Sequence, residues 1–122
     1  MTPRGRTFLI AARAVFFLSC AWGLWLALSP HVGPPPPPGP YDKIEHFTGF
    51  YVLTAMALVA FPGSARWRIF AGLAAFGGLV EVLQAIPALH RDCDVWDWVT
   101  DIAGIGAVLL PTFLRKCPNL PT

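Results

Sequence analysis

Charged residues are scarce in this chain. Asp, Glu, Lys and Arg together make up 13% of its 122 residues, whereas hydrophobic residues make up 55%. A water-soluble domain of this size and composition would expose large apolar patches and aggregate. The shortage of charge therefore excludes an ordinary soluble protein. It indicates a single domain, residues 1–122, placed in a lipid bilayer.

Cysteine is also scarce, and basic patches are missing. Cys20, Cys93 and Cys117 lie far apart, which indicates neither a zinc-binding motif nor a disulfide framework. No cluster of basic residues is interleaved with aromatic ones, so nucleic acid is not an expected partner. No serine or cysteine stands out as a nucleophile, and we expect no bound metal or cofactor.

Long apolar runs, in contrast, are abundant. A helix that spans a bilayer needs ~20 mostly apolar residues, and four runs approach this length. They cover about residues 8–29, 46–61, 69–86 and 95–114. We therefore expect an all-α fold, an integral membrane four-helix bundle. Between the first two runs, residues 30–40 contain five consecutive prolines, which favour a stiff extended loop on the outer side.

The first run has a second interpretation as a cleaved signal peptide. A basic start precedes it, and Ala27-Leu28-Ser29 resembles a cleavage site. Its apolar part is longer than a typical signal core, and Pro30 would follow the cut directly. These two features favour a retained first transmembrane helix.

The charges are divided unequally between the two sides that four spans define. Seven basic residues fall on the side of both termini, whereas only Lys43 and Arg91 fall on the other side, together with all seven acidic residues. Loops rich in lysine and arginine face the cytoplasm. We therefore expect both termini in the cytoplasm and the protein in the cytoplasmic (inner) membrane, with the acidic side outside.

Several polar residues interrupt the apolar runs. Glu81 and Gln84 lie three residues apart in the third run, so they share one helix face. Asp97 and Asp101 lie four apart in the fourth run and share a face in the same way. A charge at membrane depth costs about 2.5–3.5 kcal/mol by insertion scales, so it usually faces a partner or water. Because successive spans run in opposite directions, these four residues and His46 predict one shared polar pocket below the outer surface.

Other residues have simpler structural interpretations. Asp42 and Glu45 have the spacing of a capping box at the start of the second helix, and Gly49 is expected to allow close packing there. Asp94 is an acid at the start of the fourth helix, where the helix dipole favours it. The five tryptophans lie near span ends and predict anchors at the membrane interface: Trp22, Trp25, Trp67, Trp96 and Trp98.

A series of motifs occurs in order along residues 41–110. It consists of Asp-Lys-x-x-His, Glu-x-x-Gln, a Pro followed by an Arg, and an Asp with a Gly seven residues later. The matching residues are Asp42, Lys43, His46, Glu81, Gln84, Pro87, Arg91, Asp97 and Gly104. This series resembles the VanZ-like family of small membrane proteins. The resemblance implies a role in the cell envelope and an association with teicoplanin resistance.

The chain departs from the family pattern at two places. The segment from Pro87 to Arg91 is longer than the family's Pro-Gly-Arg. Asp101 stands where the family has Asn. This aspartate adds a negative charge that a proton, a cation or Arg91 would have to balance.

The sequence leaves three functions open, and the first is binding or modulation of an envelope ligand. The ligand would be a lipid-linked cell-wall precursor or a lipid headgroup. Lys43 and Arg91 would bind its anionic groups, and the carboxylates would bind its amines. The candidate ligand-binding residues are Asp42, Lys43, His46, Glu81, Gln84, Arg91, Asp97 and Asp101.

The second function is an intramembrane enzyme that acts on envelope lipids. His46 would pair with a carboxylate for acid–base catalysis. The candidate catalytic residues are His46, Glu81, Asp97 and Asp101, and in a metal-assisted variant these four would hold a hard cation. The third function is purely structural, with the polar residues only holding the helices together by hydrogen bonds.

Overall fold

The protein is all-helical throughout the residues that the structure describes. A computed structural model describes residues 1–29, 41–89 and 94–115. Its four helices are α1 Pro3–Leu28, α2 Tyr41–Ala60, α3 Arg66–Gln84 and α4 Val95–Arg115, with a short 3-10 helix Pro87–Leu89 after α3. The predicted all-α fold with four helices is confirmed. The proline-rich loop and Arg91 lie outside the described residues.

Three of these helices, α1, α3 and α4, are long and apolar enough to cross a membrane. The remaining helix, α2, has 20 residues. Its first two turns carry Asp42, Lys43 and Glu45, which lower its mean hydropathy. Large hydrophobic side chains are exposed on the outside of the bundle, among them Phe8, Leu18, Val52, Leu79 and Leu110. An apolar exterior over long apolar helices defines a membrane protein.

The helices pack with α2 at the centre of the contacts. The most extensive interface joins α2 to α4, followed by the interfaces of α1 with α2 and of α3 with α4. The apolar core contains Phe16, Ala57, Ala60, Ile69, Leu73, Ile105 and Leu109. Most of these residues lie towards the turn between α2 and α3. The opposite end, where α2 and α4 begin and α3 ends, is left for polar residues.

Two glycines allow the helices to approach closely at this polar end. A Cβ added at Gly104 in α4 would lie 2.5 Å from the backbone oxygen of Phe47 in α2. A Cβ at Gly77 in α3 would lie 2.8 Å from Oδ2 of Asp101. The prediction that Gly49 provides such a contact is wrong, because a Cβ there has no heavy atom of the described residues within 4 Å. Gly49 lies on an exposed face of α2.

The C-terminal end of α2 is held by a residue of α1. Arg13 donates from Nε to the backbone oxygen of Ala60 at 3.0 Å. Its guanidinium also lies over the ring of Phe61, 5.2 Å from the centroid. Carbonyl groups in the last turn of a helix lack partners within that helix. Arg13 therefore satisfies one of them and ties α1 to α2.

Candidate functional site

Ionisable side chains from α2, α3 and α4 meet at the polar end of the bundle. We name these side chains the carboxylate cluster, which consists of Asp42, Lys43, His46, Glu81, Asp94, Asp97 and Asp101. The helices bring these residues together because α3 runs opposite to α2 and α4. The five carboxylates, one ammonium and one imidazole leave a formal charge of −3 even when His46 is protonated.

His46 and Asp101 form the shortest contact in the cluster. His46 Nδ1 lies 2.7 Å from Asp101 Oδ1, and the Asp101 side chain is completely buried. His46 Nε2 is 3.8 Å from both Asp42 Oδ1 and Asp97 Oδ2. A nitrogen–oxygen distance of 2.7 Å is typical of a charge-assisted hydrogen bond. The imidazole is therefore oriented from one side by α4 and surrounded by carboxylates on the other.

Lys43 compensates the charge of Asp97. Its ammonium lies 3.1 Å from Asp97 Oδ1 and 3.1 Å from Asp94 Oδ2. The Asp97 side chain is only 5% exposed, whereas those of Lys43 and Asp94 are roughly half exposed. The sequence predicted that Lys43 binds an anionic group of a ligand. In the structure both of its carboxylate partners come from the protein, so an anionic ligand would have to compete with them.

Asp94 caps α4 and reaches Glu81. Its Oδ1 accepts a hydrogen bond from the backbone N–H of Trp96 at 2.9 Å, as expected for an acid at the start of a helix. Its own backbone N–H donates to Glu81 Oε2 at 3.2 Å. The N–H of Trp96, and then the ammonium of Lys43, hold the pKa of Asp94 below its ordinary value. Asp94 therefore stays ionised at neutral pH.

Asp42 does not have the predicted capping role. The helix begins at Tyr41, so Asp42 lies inside the first turn rather than at the N-cap, and the capping-box prediction is wrong. Its carboxylate is largely exposed and approaches His46 instead. Glu45, the other member of the predicted box, is exposed.

Two buried carboxylate oxygens have no hydrogen-bond partner among the described residues. They are Glu81 Oε1 and Asp101 Oδ2. Glu81 is 6% exposed and Asp101 0% exposed. A buried acceptor without a donor costs about 1–3 kcal/mol, and more when it is charged. Such oxygens in a folded protein call for an occupant that donates a hydrogen bond or carries positive charge.

Gln84 binds a neighbouring helix rather than the carboxylates. Its Nε2 donates to the backbone oxygen of Ala27 at 2.9 Å, which ties the end of α3 to the end of α1. Its Oε1 is buried without a partner in the described part of the chain. The prediction that Gln84 shares the pocket of the carboxylates is therefore not supported by its hydrogen bonding.

Trp98 also differs from its predicted role. Its indole N–H donates to the backbone oxygen of Ala74 at 2.9 Å, and its ring lies against Gly78. Trp98 is thus a packing residue between α3 and α4, and the interface-anchor prediction is wrong for it. The other four tryptophans expose 61–64% of their surface, as anchors would: Trp22, Trp25, Trp67 and Trp96.

The cluster contains two groups of side chains that could hold a cation. Asp42, His46 and Asp97 form one group, and His46, Glu81 and Asp101 form the other. In each group the candidate ligand atoms lie within 4.8 Å of one another. The same groups could instead share protons or bind an amine. Sequence reasoning brought most of these residues together, but it did not find the contacts of Lys43 or Asp94.

The fold and the site define a class of protein. It is a small helical membrane protein with an acidic cluster buried among three helices at one end. Comparison of the chain with family models, with curated proteins and with solved structures gave no match. The resemblance to the VanZ-like family therefore depends on the motif residues alone.

Proposed function

We propose that the protein is a multi-pass protein of the cytoplasmic membrane that binds or modulates a ligand of the cell envelope. Both termini would be cytoplasmic, and the carboxylate cluster would open to the outer side. The ligand class is a lipid-linked cell-wall precursor or a lipid headgroup. The VanZ-like resemblance connects this activity to protection against glycopeptides such as teicoplanin.

The observation that carries this proposal is a pair of buried oxygens, Glu81 Oε1 and Asp101 Oδ2, that have no partner within residues 1–29, 41–89 and 94–115. A purely structural cluster would pair its buried polar atoms, because each unpaired one destabilises the fold. The cluster also has more acids than bases among the described residues. Both features favour an occupant that brings positive charge or hydrogen-bond donors, such as the amine of a headgroup or of a peptide precursor.

A second candidate function is acid–base catalysis on an envelope lipid. The 2.7 Å contact of His46 with Asp101 favours it, because a carboxylate that orients an imidazole is a common arrangement in general acid–base catalysis. A turnover assay on envelope lipids distinguishes this function from binding. Product formation that depends on His46 would support the enzyme.

The proposed function is tested by Glu81→Gln, which keeps size and hydrogen-bonding capacity but removes the charge. Cells that express this variant should lose protection against teicoplanin, while its membrane abundance and thermal stability stay at wild-type values. Glu45→Gln is the matched control, since Glu45 is an exposed glutamate outside the cluster, and it should protect as the wild type does.

Two outcomes would decide against the proposal. Wild-type protection from Glu81→Gln at equal abundance would favour the purely structural role, in which removal of a buried charge is neutral or stabilising. Absence of any protection by the wild-type protein would remove the link to glycopeptide resistance.

A further inference from the structure

We propose that His46, Glu81 and Asp101 bind a divalent transition-metal ion such as Zn²⁺ or Mn²⁺. This inference deepens the proposed function, since it names an occupant for the same cluster, and it revises the expectation of no bound metal. One imidazole and two carboxylates form a ligand set that suits such ions.

The three donors come from three different helices and converge on one point. Their candidate ligand atoms lie within 4.8 Å of one another. In a tetrahedral site with bonds of about 2.0–2.2 Å, ligand atoms are about 3.3–3.6 Å apart. His46 Nδ1 and Asp101 Oδ1, which are 2.7 Å apart in a direct contact, would have to separate slightly by side-chain rotation to admit the ion between them.

Two features distinguish Glu81 and Asp101 from carboxylates on an ordinary acidic surface: their burial and their unpaired oxygens. Glu81 is 94% and Asp101 100% buried, as their exposed fractions of 6% and 0% show. Each carries one oxygen without a partner in the described residues. Gly77 lets α3 lie close to Asp101, because a Cβ at this glycine would lie only 2.8 Å from Oδ2 of Asp101. A larger residue there would crowd one of the unpartnered oxygens.

The charges around the site favour a cation there. Lys43 is engaged by Asp94 and Asp97, so it does not compensate Glu81 or Asp101. Among the residues that the structure describes, only the imidazole of His46 and the backbone N–H of Asp94 contact these two carboxylates. A buried carboxylate pair with so little compensation is costly. A divalent ion would supply the missing positive charge.

The competing group of Asp42, His46 and Asp97 is a weaker candidate. The Asp42 side chain is 63% exposed, and Asp97 already pairs with Lys43. Because His46 belongs to both groups, a substitution of His46 does not distinguish them. Substitutions of Glu81 and Asp42 do, because each of these residues belongs to one group.

The test is metal binding by the whole 122-residue chain in lipid nanodiscs after treatment with a chelator. ZnCl₂ and MnCl₂ are titrated separately by calorimetry, and the bound metal is counted by elemental analysis. We expect one ion per chain for at least one of the two salts. Glu81→Gln and Asp101→Asn should each weaken binding at least about tenfold, since even outer-shell changes cost that much. Asp42→Asn should weaken binding much less than either of these, and Glu45→Gln should bind as the wild type does.

A further variant keeps every ligand but crowds one of them. Gly77→Ala should also weaken binding, because its Cβ crowds Oδ2 of Asp101. Circular dichroism and thermal scans show which variants fold, and if Asp101→Asn does not fold, Glu81→Gln decides alone. Unchanged binding in Glu81→Gln, or loss in Asp42→Asn alone, would overturn the assignment, the first result indicating an adventitious ion only.

The metal assignment and the proposed function fail in different ways. If the wild type binds neither ion but Glu81→Gln still abolishes teicoplanin protection, the metal assignment is overturned and envelope-ligand binding stands. If Glu81→Gln loses the metal but protects cells fully, the site is supported and the proposed function is overturned.

Discussion

Among single residues, Asp94 links the start of α4 to both α2 and α3. Its side chain caps α4 and pairs with Lys43 of α2. Its backbone N–H donates to Glu81 of α3. One residue at the start of α4 thus fixes the position of Glu81 relative to both other helices. This arrangement explains how a glutamate near the end of α3 is held at a defined place beside His46 and Asp101.

The pairing of Asp94 predicts a dependence of stability on pH. Asp94→Asn keeps the cap, because asparagine is as good an N-cap as aspartate, but it removes the ion pair with Lys43. The pKa of Asp94 is lowered in the folded protein, so the stability that its charge contributes is present above its unfolded pKa. That stability is lost as the pH falls through the lower folded pKa.

Thermal unfolding in detergent from pH 7 to pH 3 measures this dependence. We expect the wild type to be the more stable protein at pH 7, and the difference to shrink below about pH 4. A difference that is constant over the whole range would show that the ion pair does not contribute.

The sequence predicted the roles of some single residues but not their contacts. Asp94 could be predicted as a helix-start acid because it directly precedes an apolar run. Its contact with Glu81 could not, since a backbone donor leaves no mark in the sequence. The pairing of Lys43 with Asp97 could not be predicted for another reason: several acids are candidates for the same ammonium, and the sequence does not show which of them contacts it.

Among the helices, the α2–α4 interface determines the geometry of the cluster. Gly104 brings the backbone of α4 against the carbonyl of Phe47 in α2. This contact lies close to His46 on α2 and Asp101 on α4, one residue before Phe47 and three before Gly104. The distance between the two helices there therefore sets the 2.7 Å contact of His46 with Asp101.

This interface predicts different effects for alanine at two neighbouring glycines of α4. Gly104→Ala should destabilise the protein by about 1–3 kcal/mol, because the new Cβ would force backbone atoms apart. Gly106→Ala is the control, because a Cβ there meets no heavy atom of the described residues within 4 Å. It should be neutral or stabilise by up to about 1 kcal/mol through helix propensity.

Chemical or thermal unfolding of both variants in the same detergent is the measurement. Equal stability of Gly104→Ala and Gly106→Ala would mean that α2 and α4 do not approach as closely as described.

At the level of helices, existence was predictable, and orientation was predictable only where polar residues mark a face, as Asp97 and Asp101 do in α4. The apolar runs are long enough to predict four helices, but elsewhere their faces are nearly all apolar, so they do not show which face meets a neighbour. For this reason Gly49 was expected at an interface and lies exposed, while Trp98 was expected at the membrane surface and packs on α3.

In the whole molecule, charge is separated along the bundle. The carboxylate cluster occupies one end, and Arg66, Arg68 and Arg115 lie at the other, where α3 begins and α4 ends. The separation between basic and acidic ends could be predicted from the sequence alone, because it follows from the order of spans and loops. It supports the proposal that the basic end is cytoplasmic.

The cysteines provide a test of this orientation. Cys93 precedes α4 and Cys117 follows it, so a membrane-impermeant thiol reagent applied to intact cells should label Cys93 and not Cys117. Opening the membrane should then expose Cys117. Labelling of Cys117 from outside would contradict the orientation, and a mature chain that begins at Pro30 would contradict the retention of α1.

The central claim is that the carboxylate cluster holds an occupant that satisfies Glu81 and Asp101. Native mass spectrometry of the protein released from membrane-derived lipid particles tests it most directly. The wild type and Glu45→Gln should carry the same discrete additional mass, either a metal ion or an envelope ligand, and Glu81→Gln should lack it. Identical spectra for the wild type and Glu81→Gln, beyond the mass of the substitution, would contradict the claim.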